Sequence, residues 1–102
     1  MNANVEIYTW SHCPYSAKAK ALLSQKGVDY TEYSIDDDDL AREAMSQRAN
    51  GHKTMPQIFI NDIHIGGCDD LHTLEEIGSL DEFLSQEPEE FQYRAYSLNS
   101  ES

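Results

Sequence analysis

The stretch Val5-Glu6-Ile7-Tyr8-Thr9-Trp10-Ser11-His12-Cys13-Pro14-Tyr15-Ser16 changes character halfway along. Its first five residues are rich in β-formers. From Ser11 onward the residues suit a helix start, because Ser or Cys can precede a first turn and proline fits the first helical position, where its missing N–H costs nothing. The stretch therefore reads as a strand running into a helix with Cys13 at the junction. From Tyr15 to Lys26 we expect Ala17, Ala21, Leu22 and Leu23 to line a buried side, Lys18 and Lys20 to be wetter, and Gly27 to end the helix.

Further along, Asp29-Tyr30-Thr31-Glu32-Tyr33-Ser34-Ile35 alternates aromatic and β-branched residues with polar ones and predicts a second strand. The run Asp36-Asp37-Asp38-Asp39 then starts a helix, since carboxylates cap free N–H groups and favour the positive end of the helix dipole ahead of Leu40, Ala41, Ala44 and Met45. It lacks the turning glycine of a divalent-metal loop. Asn50-Gly51 closes this helix. Met55 to Ile60 and Ile63 to Ile65 read as strands of a hairpin turned at Asn61-Asp62. After Gly66-Gly67, Asp69 or Asp70 caps a last helical region in which Leu71, Leu74 and Ile77 share a face, with Leu80, Phe83 and Leu84 continuing after Gly78. The order strand, helix, strand, helix, hairpin, helix predicts α/β packing with a right-handed crossover between the first two strands. The pattern fades at Gln86, so residues 1–85 are expected to form one domain and residues 86–102 an acidic, aromatic tail, mobile rather than docked through Phe91, Tyr93 and Tyr96.

With 102 residues the chain has room for one core. No apolar run approaches the roughly 20 residues needed to span a bilayer, and the N-terminus lacks the basic and apolar regions of a secretion signal. A soluble, cytoplasmic protein is expected. The 19 acidic and 7 basic side chains give a net charge of −12. That disfavours nucleic acid, which needs clustered Lys and Arg. The excess acid is read as solubility, with steering of a basic partner as the alternative. Two distant cysteines, Cys13 and Cys68, are better read as thiols than as a disulfide, and they are too few for a closed zinc site.

A cysteine reacts as its thiolate, and a helix N-terminus lowers the thiol pKa by aiming unpaired N–H groups at the sulfur. Cys13, at the strand-to-helix junction, is therefore the candidate nucleophile, with Pro14 stiffening the first turn and Tyr15 and Ser16 keeping it compact. A buried, inert cysteine is the competing reading, and it sits poorly with a place at the carboxyl edge of an α/β sheet.

The segments Ile7-Tyr8-Thr9, Cys13-Pro14-Tyr15-Ser16, Thr54-Met55-Pro56 and Gly66-Gly67-Cys68-Asp69-Asp70 occur in an order and spacing that resembles the glutaredoxins, over about residues 4 to 85, and the short bacterial and cyanobacterial type in particular. The resemblance implies the thioredoxin fold, a four-stranded mixed sheet in the order 2-1-3-4 flanked by helices, with Pro56 cis and facing Cys13. It implies glutathione as co-substrate, its cysteinyl part along the Met55 backbone. Its γ-glutamyl end would meet the backbone of Cys68 and Asp69 and the Asp69 carboxylate, with Tyr15 and Thr54 beside it. These roles agree with physical sense, since a helix N-terminus after two glycines suits a carboxylate and an aspartate suits an ammonium group.

Two positions depart from the family. Ser16 stands where many relatives carry a second cysteine, which predicts a monothiol cycle through Cys13, with glutathionylated proteins and small disulfides as substrates. Trp10 stands where many carry a lysine near the glycine carboxylate of glutathione, and Arg48 and Lys53 are the candidates for that contact. Cys68 is read as a packing residue, with a regulatory or resolving thiol as alternatives. A monomer without metal is expected. The alternative function is a dimeric iron–sulfur carrier ligated by Cys13 and glutathione, against which Pro14 stiffens the turn.

Overall fold

The computed structural model describes residues 2–87. The chain runs β1 (Val5–Thr9), α1 (Pro14–Gln25), β2 (Thr31–Ser34), α2 (Asp39–Arg48), β3 (Gln57–Ile60), β4 (Ile63–Gly66), α3 (Cys68–Glu76) and α4 (Leu80–Ser85). The expectation for the tail falls on residues 88–102, outside the described residues. Among the described residues no helix is long and apolar enough to cross a membrane.

The four strands form one sheet in the order β2-β1-β3-β4, as the resemblance implies. β1 pairs parallel to β2 and antiparallel to β3, and β3 pairs antiparallel to β4. The hairpin turns at Asn61 and Asp62, with φ of 52° and 68°. Asn and Asp tolerate that left-handed region, which a two-residue hairpin turn requires at both positions. Asn61 also ties the hairpin to the N-terminus, its N–H donating to the Asn4 carbonyl and its side-chain oxygen accepting from the Asn4 N–H, both at 2.8 Å.

Burial alternates along β1, with Val5, Ile7 and Thr9 inside, and Val5 and Ile7 join Ile58, Ile60, Leu22, Leu23, Leu71, Leu80 and Leu84 in the main core. All four residues of β3 are buried, because helices cover both of its faces. α1 differs from the sequence expectation. Its buried residues are Ser16, Ala19, Leu22 and Leu23, while Ala17 and Ala21 are exposed. Alanine is too small to declare a face, so a helix with alanines all round leaves its rotation to Leu22 and Leu23. The last helical region also differs. Gly67 caps α3, Asp69 and Asp70 lie inside its first turn, and Ile77 falls just beyond its end, 67% exposed. At the start of α2 the acidic run behaves as expected, the Asp38 carboxylate accepting from the Ala41 N–H at 3.0 Å.

On the sheet face opposite the main core a charged group is drawn inside. Arg48 donates to both carboxylate oxygens of Glu6 (3.0 and 2.6 Å), to Asp62 (2.7 Å) and to the Tyr8 hydroxyl (3.1 Å), with its guanidinium 4.0 Å from the Phe59 ring centroid. The Arg48 guanidinium holds the Glu6 carboxyl below its ordinary range, helped by the Tyr33 hydroxyl and opposed by burial. A depressed carboxyl stabilises the fold above its unfolded pKa, and that contribution is lost as pH falls through the folded value. Arg48→Met is therefore expected to cost about 2 kcal/mol in urea denaturation at pH 7, because it strands a mostly buried carboxylate. The gap to the wild type should narrow as pH falls below the ordinary carboxylate range and through the depressed folded value of Glu6, where the carboxyl takes up a proton in either protein.

Candidate active site

Cys13 is the N-cap of α1, with extended backbone (φ −92°, ψ 114°) and Pro14 in the first turn, as the strand-to-helix reading predicts. A turn places it there: its N–H donates to the Trp10 carbonyl at 3.2 Å, and its own carbonyl accepts from the Ala17 N–H at 3.2 Å. The loop is fastened from β2's side by Asp36, whose carboxylate accepts from the Ser11 N–H at 2.9 and 3.2 Å.

The thiol faces the start of β3. Cys13 Sγ donates to the Met55 carbonyl at 3.7 Å, across 42 positions of sequence. The Met55–Pro56 bond is cis, as the resemblance implies. Burial alone would raise the Cys13 pKa, yet the Ser16 hydroxyl and the backbone N–H groups of Ser16 and Tyr15 bring it below that of an ordinary thiol. The Ser16 hydroxyl is 1% exposed and has no hydrogen-bond partner while Cys13 is a thiol. Once the sulfur ionises it becomes an acceptor, and this idle donor is placed to serve it.

Beside Met55 opens a groove of about 460 Å³. Of the residues singled out in the sequence it brings together Tyr15, Thr54, Met55, Pro56, Cys68 and Asp69. Gly66 and Gly67 form its far wall. Gly66 has φ of 119°, and a Cβ there would collide with the Asp70 carboxylate, which accepts from the Gly67 N–H at 3.0 Å. At Gly67 a Cβ would stand 3.4 Å from the Pro56 carbonyl, an ordinary van der Waals contact between the two segments. Cys68 opens α3 and is buried, and that burial pushes its thiol pKa up; it and Cys13 are both free thiols.

Arg48 and Lys53 do not line this groove. Arg48 is committed to Glu6 and Asp62 beneath the sheet, a correction to its expected role, caused by an acid 42 positions away on β1. The Lys53 ammonium turns to Glu43 at 3.3 Å, with both side chains 56% exposed, a pair that water readily exchanges. The groove instead holds His52, His64 and Gln57, to which the sequence reading gave no role, and Asp70, read there as a helix cap. His64 Nε2 and the Gln57 side-chain oxygen share a hydrogen bond at 2.7 Å, and burial, with the nearby His52, holds its pKa down against the Asp70 charge. The signal for these residues was their nearness in sequence to Thr54-Met55-Pro56 and Gly66-Gly67. Among the described residues no group of three or more His, Cys, Asp or Glu is placed to hold a metal ion.

Comparison with known proteins adds to this geometry. The pattern of the glutaredoxin family matches residues 5–65. A probable glutaredoxin of Synechocystis sp. is 57% identical over 84 residues, covering 82% of this chain and 96% of that protein. Glutaredoxin 3 of Escherichia coli is 56% identical over 82 residues, covering 80% and 98%. Among solved structures, a buckwheat glutaredoxin–glutathione complex superposes with a TM-score of 0.76 at 29% identity, covering 81% of this chain and 77% of that one. The solution structure of a glutaredoxin from Brucella melitensis gives 0.72 at 47% identity, covering 81% and 89%.

The donors around Cys13 set a measurable property. Removing the hydroxyl in Ser16→Ala should shift the pH profile of Cys13 alkylation toward higher pH, whereas Cys68→Ser should leave it in place. A profile that does not move in Ser16→Ala would show that the two backbone donors suffice.

Proposed function

The chain belongs to the glutaredoxin family and is a thiol–disulfide oxidoreductase, and from that premise we propose that it reduces glutathione mixed disulfides through Cys13 alone. The observation that carries this reading is the contact of the Cys13 sulfur with the Met55 carbonyl at the mouth of the groove, because it places a nucleophile of lowered pKa beside a site of tripeptide size. Met55 lies two residues before the first paired position of β3, Gln57, so its backbone is placed to pair with an extended cysteinyl residue. The first turn of α3 offers the N–H groups of Cys68 and Asp69 to the γ-glutamyl carboxylate, and the Asp69 carboxylate suits the ammonium group. Tyr15, Thr54 and Pro56 supply the walls. For the glycine carboxylate we retain Lys53, whose exposed pair with Glu43 is weak, and add His52 on the groove wall in place of Arg48.

In the proposed cycle the Cys13 thiolate attacks the glutathione sulfur of a mixed disulfide. The old S–S bond breaks, the substrate thiolate leaves and takes a proton from water, and Cys13 is left joined to glutathione. The thiolate of a second glutathione then attacks the glutathione sulfur of that adduct, releasing oxidised glutathione and the Cys13 thiolate. Across the two exchanges the substrate sulfur passes from disulfide to thiol while the second glutathione's sulfur passes from thiol to disulfide, the first glutathione staying at disulfide level throughout. Serine at position 16 cannot take the place of the second glutathione, because a hydroxyl neither ionises nor bonds to sulfur under these conditions. All the residues invoked lie in one chain, so a monomer suffices, and the cycle belongs in a compartment such as the cytoplasm, where glutathione is kept reduced.

After treatment with oxidised glutathione, mass spectrometry should show one adduct, absent in Cys13→Ser, and that variant should lose turnover of a small glutathione mixed disulfide. Asp69→Asn should raise KM for that substrate roughly tenfold with kcat little changed, the loss of one charge-assisted hydrogen bond. An adduct that persists in Cys13→Ser, or turnover that survives it, refutes the assignment.

A further inference from the structure

Cys13 lines a second recess, which shares no lining residue with the groove: a hollow of about 380 Å³ lined by Trp10, His12, Cys13, Asp36 and Asp37. The function proposed above leaves it unused. Its base is the Trp10 ring, 38% exposed. That ring is not loose, because the Arg42 guanidinium lies 5.0 Å from its centroid while Arg42 Nε donates to the Lys53 carbonyl at 3.1 Å. Its rim is acidic. Asp36 is kept ionised by its hydrogen bonds to Ser11, which also fix the rim to the loop that carries Cys13. Asp37 is exposed, with φ of 55° at the bend between β2 and α2.

We propose that this hollow receives the polypeptide half of a glutathionylated protein, and that it favours a lysine or arginine close in sequence to the modified cysteine. The inference rests on the glutathione reading of the first groove. If glutathione fills that groove, this hollow is the separate recess that Cys13 itself lines, and residues flanking the substrate cysteine that enter it meet the Trp10 ring with carboxylates beside it. A lysine or arginine stem packs on an indole while its charge reaches Asp36 or Asp37. Arg42 contacts the Trp10 ring but is not among the lining residues, so the carboxylates of Asp36 and Asp37 are the charged groups that line the hollow with His12. A net charge of −12 adds a long-range pull of the same sign. A second glutathione is the poorer occupant, since at neutral pH it carries two carboxylates against one ammonium group and meets like charge there.

The test uses the full chain with two glutathionylated peptides that differ only in having lysines or glutamates beside the cysteine, and a small glutathione mixed disulfide as reference. At low salt kcat/KM should favour the lysine peptide by about tenfold, a preference that shrinks as ionic strength rises. Asp37→Asn, which the left-handed backbone accepts, should bring the ratio several-fold nearer to one, and Trp10→Ala should slow both peptides. Asp37→Asn should leave turnover of the small disulfide unchanged. Equal rates for the two peptides, or a ratio indifferent to Asp37→Asn, overturn the proposal while leaving the glutathione chemistry standing. A raised KM for glutathione in Asp37→Asn overturns it in favour of a reductant site. No turnover of the small disulfide by the unaltered protein overturns both readings together.

Discussion

The antiparallel register of β1 against β3, with Tyr8 opposite Gln57, is the constraint on which the site depends. It sends the carboxyl end of β1 and the amino end of β3 to the same edge of the sheet. Cys13 follows one and Met55 precedes the other, so they meet although 42 positions separate them. β4 runs antiparallel to β3, which returns Gly66, Gly67 and Cys68 to that edge, and β2 runs parallel to β1, which delivers Asp36 and Asp37 there too. One edge thus collects the end of every strand that carries chemistry. A one-residue slip between β1 and β3 would turn Val5 and Ile7 out of the core, so burial itself enforces the register.

This explains how much of the molecule the sequence disclosed. Strand-to-helix junctions, the Asn61-Asp62 turn and the Asp38 cap are local, each written in a few neighbouring residues, and the structure shows them. Strand order and the cis Met55–Pro56 bond came from motif order through the family resemblance; periodicity alone does not contain them. The burial of α1 was misjudged because alanine has too little surface to distinguish a face, so Ala17 and Ala21 looked as apolar as Ala19.

Arg48 illustrates the other kind of failure. As a lone cation near Thr54 it looked available for a carboxylate ligand. Its partner is Glu6, on a strand far earlier in the chain, and nothing local to either residue predicts the pair. The tertiary fold sets them 2.6 Å apart on the face opposite the main core, where the Tyr8 hydroxyl and the Phe59 ring also meet the guanidinium. A polar side chain entering a largely covered sheet must be paired there, and pairing removes it from other duties. An exposed pair such as Lys53 with Glu43 carries no such constraint.

The same reasoning separates the two cysteines. Both sit at helix N-termini, Cys13 capping α1 and Cys68 opening α3, so a helix dipole alone would activate both. Their pKa shifts have opposite signs. At Cys68 burial is the largest influence and raises the pKa, the Lys18 charge opposes it, and the Asp69 charge adds to it. At Cys13 burial also raises the pKa, but the Ser16 hydroxyl and two backbone N–H groups together outweigh it. Donor geometry, and not helix position, separates the two sulfurs. The N-terminus of α3 keeps a neutral thiol, leaving its N–H groups free to take an anion from outside. Ser16 puts a hydroxyl donor, and no second thiol, in the first turn beside Cys13, so the side chain that lowers the pKa of this sulfur cannot itself form a disulfide with it.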